Sequence, residues 1–303
     1  MEVIEMKKTI KLIALIMALV FAVTAFSACG KDGDDTNKPS GNETKAPAVK
    51  VIDLELTEED YAFGVDKAQP ELLAKVNAFI KEIKANGKFD AICNNYFGDG
   101  TPVAVKSAAL DTSKDQLVVA TNAAFEPFEY TPNAGEDYYG IDMEIAAALA
   151  EYLGQELVIQ HMDFDAVCLS VGQHQCDIAM AGLTIKPDRE EYVTFSDSYY
   201  AASQKLIVTG DNTAFDACKT KEDVEAILNS YTADTKIGVQ GGTTGQFYVE
   251  GDEDWGFDGF AATCVPYKNG SLAVQDLING GVQAVIIDSA PASCITEAIN
   301  AVN

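Results

Sequence analysis

The chain has 303 residues, 48% of them hydrophobic, with 47 acidic side chains against 21 Lys and Arg and a formal net charge of −26. A surface of that sign repels nucleic-acid phosphates and anionic lipid and favours solubility. A chain of this length buries its core more readily as two domains than as one.

The amino end reads as an export signal. Lys7, Lys8 and Lys11 form a basic start, an apolar run covers 12–26, and Phe26-Ser27-Ala28-Cys29 follows; the run is too short to span a membrane. Met6 is the better start, because Glu2 and Glu5 dilute the basic region. The four residues ending in Cys29 resemble a bacterial lipobox, which implies lipidation of Cys29 after removal of residues 1–28. Those 28 residues carry a net +1, so the remainder carries −27. Residues 29–49 are polar and free of aromatics, a disordered tether whose reach at ~20 residues is roughly 25 Å.

Residues 50–56 (KVIDLEL) alternate as a strand, 57–60 (TEED) interrupt it, and 61–65 (YAFGV) form a second strand. Pro70 opens a helix with Leu72, Leu73, Val76, Phe79, Ile80 and Ile83 at helical spacing and Gly87 placed to end it. A second helix covers 89–97 and stops at Gly98-Asp99-Gly100. After a small, polar stretch to 116, strands are expected at 117–121, 157–160, 177–181, 205–209, 236–240 and 284–287. Helices are expected at 141–153, 164–173, 221–230, 244–248, 271–279 and 290–301. Such alternation predicts mainly parallel sheets covered by helices, an α/β fold. Beyond Cys29 there are six cysteines without framework spacing; Cys168 and Cys176 fall on one expected helix as core residues, and no disulfide is assigned.

The only arginine, Arg189, lies in 181–200 (AGLTIKPDREEYVTFSDSYY), just beyond the carboxyl end of a strand, where α/β sheets bind ligands. Its planar fork matches a carboxylate two bonds at a time; a salt bridge to Asp188, Glu190 or Glu191 is the plainer alternative. Gly182 permits close approach to the backbone and Thr184 offers a hydroxyl. Gly241-Gly242-Thr243-Thr244 follows a strand directly, so helix N–H groups can face an anion. Asp288 closes a strand, where a simple helix cap is the alternative. Phe125 and Phe164 could stack on a ligand or pack in the core. His161 and His174 have no metal-ligand or triad spacing, and no glycine-rich phosphate loop is present.

The 181–200 stretch resembles the ligand-clamp signature of the amino-acid-binding proteins of ABC importers. GVQGGTTGQFY, VIIDSAPAS, ATNAAFEPFEY and MDFDAVCLSV resemble segments of the same family. The resemblance implies a two-lobed, type II periplasmic-binding-protein-like fold without cofactor or metal. It implies that Arg189, Thr184 and Thr244 hold an amino acid's carboxylate and Asp288 its ammonium, with the Gly182 carbonyl and Thr184 helping to hold the two charged groups and Phe125 and Phe164 flanking the ligand. Asn122 stands where basic-amino-acid binders of the family usually carry aspartate, so a neutral or polar ligand is expected, although Glu126 and Glu129 are near enough in sequence to compensate. The implied partners are a free amino acid, permease subunits of an importer, and a membrane through the lipid anchor only, with no nucleic acid. The implied location is the extracellular face of the cell membrane, or the periplasm in a host with an outer membrane.

The order of segments is unusual for that family. YAFGVDK and the helices to Phe97 resemble its carboxyl-terminal end, yet precede 117–121, which resembles its first strand. A circular permutation follows, with one lobe from 61–102 and 117–208, the other from 51–56 and 209–303, a linker at 103–116, and hinges near 57–61 and 207–211. A truncated tandem repeat would duplicate sequence, and none is duplicated. Two other classes are weighed: an exported dehydratase of a small carboxylic acid, using the same Arg189, and a sensor module, which would need a membrane segment after the lobes.

Overall fold

The computed structural model describes residues 47–132 and 137–302. The export signal, Cys29 and all but the last residues of the tether lie outside the described residues.

The apolar run Leu117-Val118-Val119-Ala120 forms β4 (Gln116–Thr121), flanked in parallel by β7 (Glu156–His161) and β8 (Ile178–Ala179). A strand with neighbours on both edges and helices on both faces needs such a continuous run rather than alternation. β3 (Gly64–Asp66) and β9 (Val193–Phe195) extend the sheet antiparallel, giving the order β7-β4-β8-β3-β9. On one face, Val76, Phe79, Ile80 and Ile83 of α1 (Pro70–Ala85) and Ile145 and Leu149 of α3 (Ile141–Leu153) are buried in one cluster with Leu117 and Val119. The short α2 (Lys88–Phe97) contributes Ile92. Val167 and Val171 of α4 (Phe164–Gly172) pack with Ala120 and Ala179 in another cluster.

The second sheet has the order β1 (Val49–Ile52), β11 (Gln204–Thr209), β14 (Ala284–Asp288), β12 (Lys236–Gln240) and β13 (Thr263–Tyr267). β12 runs parallel to both neighbours, and β11 antiparallel to both of its own. α6 (Lys221–Leu228), opened by a capping box between Thr220 and Asp223, and α7 (Thr244–Glu250) bury Val224, Leu228 and Tyr248 against Ile237, Val239 and Ile286. α8 (Gly270–Ile278) and α9 (Ser289–Val302) bury Ala273, Val274, Leu277 and Ala292 in the cluster containing Val285 and Ile287.

The chain passes between the lobes along two antiparallel strands, β2 (Glu59–Tyr61) and β10 (Tyr200–Ala202). This moves the second hinge: β11 belongs wholly to the second sheet, so the first lobe ends before Gln204 rather than at 208, and the expected crossover near 207–211 lies at β10. The expected strand 50–56 stops at Ile52, because beyond it the one main-chain bond to the partner strand among the described residues is Leu56 N–H to Gln204 O (2.9 Å). The supposed break at 57–60 is partly β2. The 61–65 strand is split, as Ala62 N–H bonds Leu183 O and Phe63 N–H bonds Ser196 Oγ. Cys176 lies beyond α4, not on it with Cys168; both are free, and no disulfide occurs among the described residues. The hairpin β5 (Ala124–Phe125) and β6 (Glu129–Tyr130), and the single turn α5 (Pro187–Glu190), complete the elements that shape the cleft.

Candidate functional site

Strand ends and the β2–β10 ribbon deliver the candidate residues to the boundary between the lobes. Beyond β8 the chain turns at Gly182, whose φ of +53° is left-handed and whose missing side chain leaves room for the rings of Phe125 and Tyr61. A Cβ there would lie 2.9 Å from Phe125. Asp142, at the start of α3, accepts the Gly182 N–H (2.9 Å) and the Tyr199 hydroxyl (2.6 Å).

Arg189 makes none of the salt bridges considered for it. Its guanidinium donates to Thr184 O (2.6 Å) within its own lobe and to Gly242 O (3.0 Å) in the other, and lies 5.3 Å from the centre of the Phe164 ring. Thr244 opens α7 and donates to Thr184 Oγ1 across the lobes (3.4 Å). Asp288, 4% exposed at the end of β14, accepts the Tyr61 hydroxyl. Arg189, Thr184, Thr244 and Phe164 thus form one set, and Tyr61, which lies beside Gly182, bridges to Thr184 and joins Asp288 to it, with Phe125 on the other side of Gly182. Asn122 is buried, donates to Met162 O (2.7 Å) and leaves its Oδ1 without a partner among the described residues. Beside this set a cavity of about 410 Å³ lies between the lobes, lined by Phe125, Glu126 and Tyr130 on one side and Ser271, Ile287 and Cys294 on the other.

Several site residues escape a reading by motif. Glu59 of β2 is buried and accepts bonds from Thr57 Oγ1 (2.6 Å), Gln204 Nε2 (3.0 Å) and Thr184 Oγ1 (2.7 Å), so it ties the ribbon to both lobes. Burial, then the charge of Glu59, raises the pKa of Asp288. Burial alone pushes Asp142 up to about 7 against its two hydrogen bonds. Glu129 is fully buried with neither carboxylate oxygen partnered among the described residues; burial, then Asp142 and Asp288, holds its pKa well above the usual range. The only sign of these groups in the sequence is their acidity, and nothing local marks them as buried. Chemically the site offers a guanidinium, hydroxyls and helix N–H groups for an anion, and water-shielded carboxylates for a cation. Among the described residues no set of three His, Cys, Asp or Glu side chains is placed to hold a metal ion.

Comparison with known proteins agrees with this architecture. The arginine-binding extracellular protein ArtP of Bacillus subtilis (strain 168) is 33% identical over 112 residues, 37% of this chain and 43% of that protein. A probable histidine-binding protein of Neisseria gonorrhoeae is 29% identical over 175 residues, 57% of this chain and 58% of that one. The chain thus spans about half the length of these curated relatives. The crystal structure of the ancestral amino acid-binding protein AncCDT-1, a precursor of cyclohexadienyl dehydratase, superposes with a TM-score of 0.51 at 31% identity, covering 61% of this chain and 74% of that one. The family model described as bacterial extracellular solute-binding proteins, family 3, matches residues 117–290, more than half of the sequence. The chain therefore belongs to the family 3 bacterial extracellular solute-binding proteins.

Proposed function

We propose that the protein captures an α-amino acid between its lobes and delivers it to an ABC importer. The observation that carries this reading is the state of Arg189: the sole arginine makes no salt bridge among the described residues and reaches from Thr184 O to Gly242 O across the lobe boundary. A ligand carboxylate can take up that fork, supported by the Thr184 and Thr244 hydroxyls, while Asp288 takes the ammonium. Asn122 favours a neutral or polar side chain. The unpartnered Glu129, and relatives named for arginine and histidine, favour a cationic one.

A thermal-shift screen against the twenty amino acids tests both readings. Ligand at 100 times Kd stabilises by about 2.7 kcal/mol, and each kcal/mol moves Tm by roughly 2–4 °C for a chain of this size. Stabilisation by lysine or arginine in preference to uncharged amino acids selects the cationic reading. Stabilisation only by carboxylic acids that lack an amino group selects a dehydratase-like enzyme instead.

Two further features belong to this reading. Cys29 is the lipidated amino terminus, and a mature chain without diacylglycerol on Cys29 in membrane-fraction mass spectrometry refutes that. The chain is a circular permutant of its family, a reading supported by β1 and β3, which precede the matched region yet complete one sheet each. The segment beginning β1 adjoins α9: Asn300 Oδ1 accepts from Ala48 N–H (2.9 Å) and Asn300 Nδ2 donates to Val49 O (2.9 Å). A chain opened within 103–116 and joined from 302 to 47 is expected to fold and bind as the parent does; loss of either refutes the permutation.

A further inference from the structure

Lys186 is a lysine where lysines are rarely found. Its side chain is 1% exposed, although it stands on a loop at the lobe boundary immediately before α5. Lysine side chains ordinarily extend to keep the ammonium in water, and fully buried ones are paired. The water here is excluded by the second lobe. Nζ contacts Asp188 Oδ2 (2.6 Å) from its own loop, and from the other lobe it meets Asp252 Oδ2 (3.0 Å) and the face of Phe247, 4.7 Å from the ring centre. Asp188 is 64% exposed and stays beside Lys186 wherever the lobes stand, whereas Asp252 is 13% exposed and reaches it only when they meet. Burial opposes the charge on Lys186, and the hydrogen bonds it donates to Asp188 and Asp252, with their negative charges, outweigh it, so its pKa is raised.

A conformational equilibrium responds only to contacts that differ between its states. Asp252 and Phe247 are such contacts, and they involve none of Arg189, Asp288 or the other candidate ligand groups. We propose that Lys186 is a positioning residue, a latch from the first lobe into the Asp252–Phe247 corner of the second that favours lobe closure independently of the ligand's groups. Affinity then depends on a contact outside the binding cleft, because closing the lobes around a ligand costs less when the latch also forms.

Small-angle X-ray scattering on the full mature chain, stripped of ligand by unfolding and dialysis, tests this without reference to ligand identity. Lys186→Met and Asp252→Asn are each expected to have a larger radius of gyration than the parent. Lys186→Arg, which keeps a cation able to bond Asp252 and stack on Phe247, is expected to keep the parent's radius. A general loss of stability would not be rescued by that substitution. Identical radii for parent, Lys186→Met and Asp252→Asn overturn the latch, and if Lys186→Met does not fold, an unchanged radius in Asp252→Asn overturns it alone. With the best ligand of the amino-acid screen, Asp252→Asn is expected to bind roughly tenfold more weakly through faster release. That arm rests on the proposed function; failure of the screen leaves the scattering test standing.

Discussion

Asp142 makes stability depend on pH in a direction opposite to that of most carboxylates. Its side chain is fully buried, and its two hydrogen bonds, from Gly182 N–H and Tyr199 OH, do not offset the loss of water, so its pKa rises from 3.8 to about 7. A group whose pKa is raised by folding contributes stability that is fully present below the unfolded value and is lost as pH rises through the folded one. A shift of about 3 units at 1.36 kcal/mol per unit amounts to about 4 kcal/mol, of which about 3 kcal/mol is lost between pH 5 and pH 8. At roughly 2–4 °C per kcal/mol, the parent should melt roughly 6–12 °C lower at pH 8 than at pH 5 from this group alone. Glu129 and Asp288, also raised by burial, act with the same sign. Asp142→Asn cannot ionise and can still accept from Gly182 N–H, so differential scanning calorimetry should show the pH 5 to pH 8 difference shrink by that amount. An undiminished difference in the variant refutes the assignment to Asp142.

Arg189→Ala should weaken ligand binding by about 2–5 kcal/mol, the loss typical of truncating one partner of a desolvated charged pair. Arg189→Lys should recover only part of it, since a point charge cannot bond Thr184 O, Gly242 O and a ligand carboxylate together; calorimetry with unchanged circular dichroism checks both. Gly182→Ala forces a Cβ into a left-handed residue 2.9 Å from Phe125 and should cost roughly 1–3 kcal/mol in urea unfolding. Stability equal to the parent's would mean that the turn beside Arg189 does not need glycine.

How much of this could be read from the sequence depended on how local the determinants were. Helix α3 over 141–153 and strand β12 over 236–240 have the expected bounds, because Gly140 and Gly154 punctuate one and the double glycine ends the other. Arg189 stands out in the sequence by being unique and by its flanking Gly182 and Thr184, and it lies at the lobe boundary, bonded to Thr184 O and Gly242 O. β13 was missed because Pro266 argues against a strand, yet β13 is an edge, where a missing N–H is tolerated. Glu59 read as part of an acidic interruption; its role is set by Thr184 and Gln204, 125 and 145 residues away. The bond from Tyr61 to Asp288 spans 227 residues, a distance over which no periodicity carries information. The second hinge was misplaced because the short β10 (Tyr200–Ala202), whose residues face solvent or are half-buried, lacks the apolar pattern of a core strand.

The proposed two-ended clamp of Arg189 and Asp288 is tested most directly by calorimetry of the parent and Asp288→Asn, each titrated with the best amino acid and with its des-amino analogue. The parent is expected to lose about 2–5 kcal/mol, at least roughly thirtyfold in Kd, when the ammonium is removed, and Asp288→Asn to bind the two compounds with similar, weaker affinity. Equal affinity of the parent for the amino acid and its des-amino analogue would contradict the account.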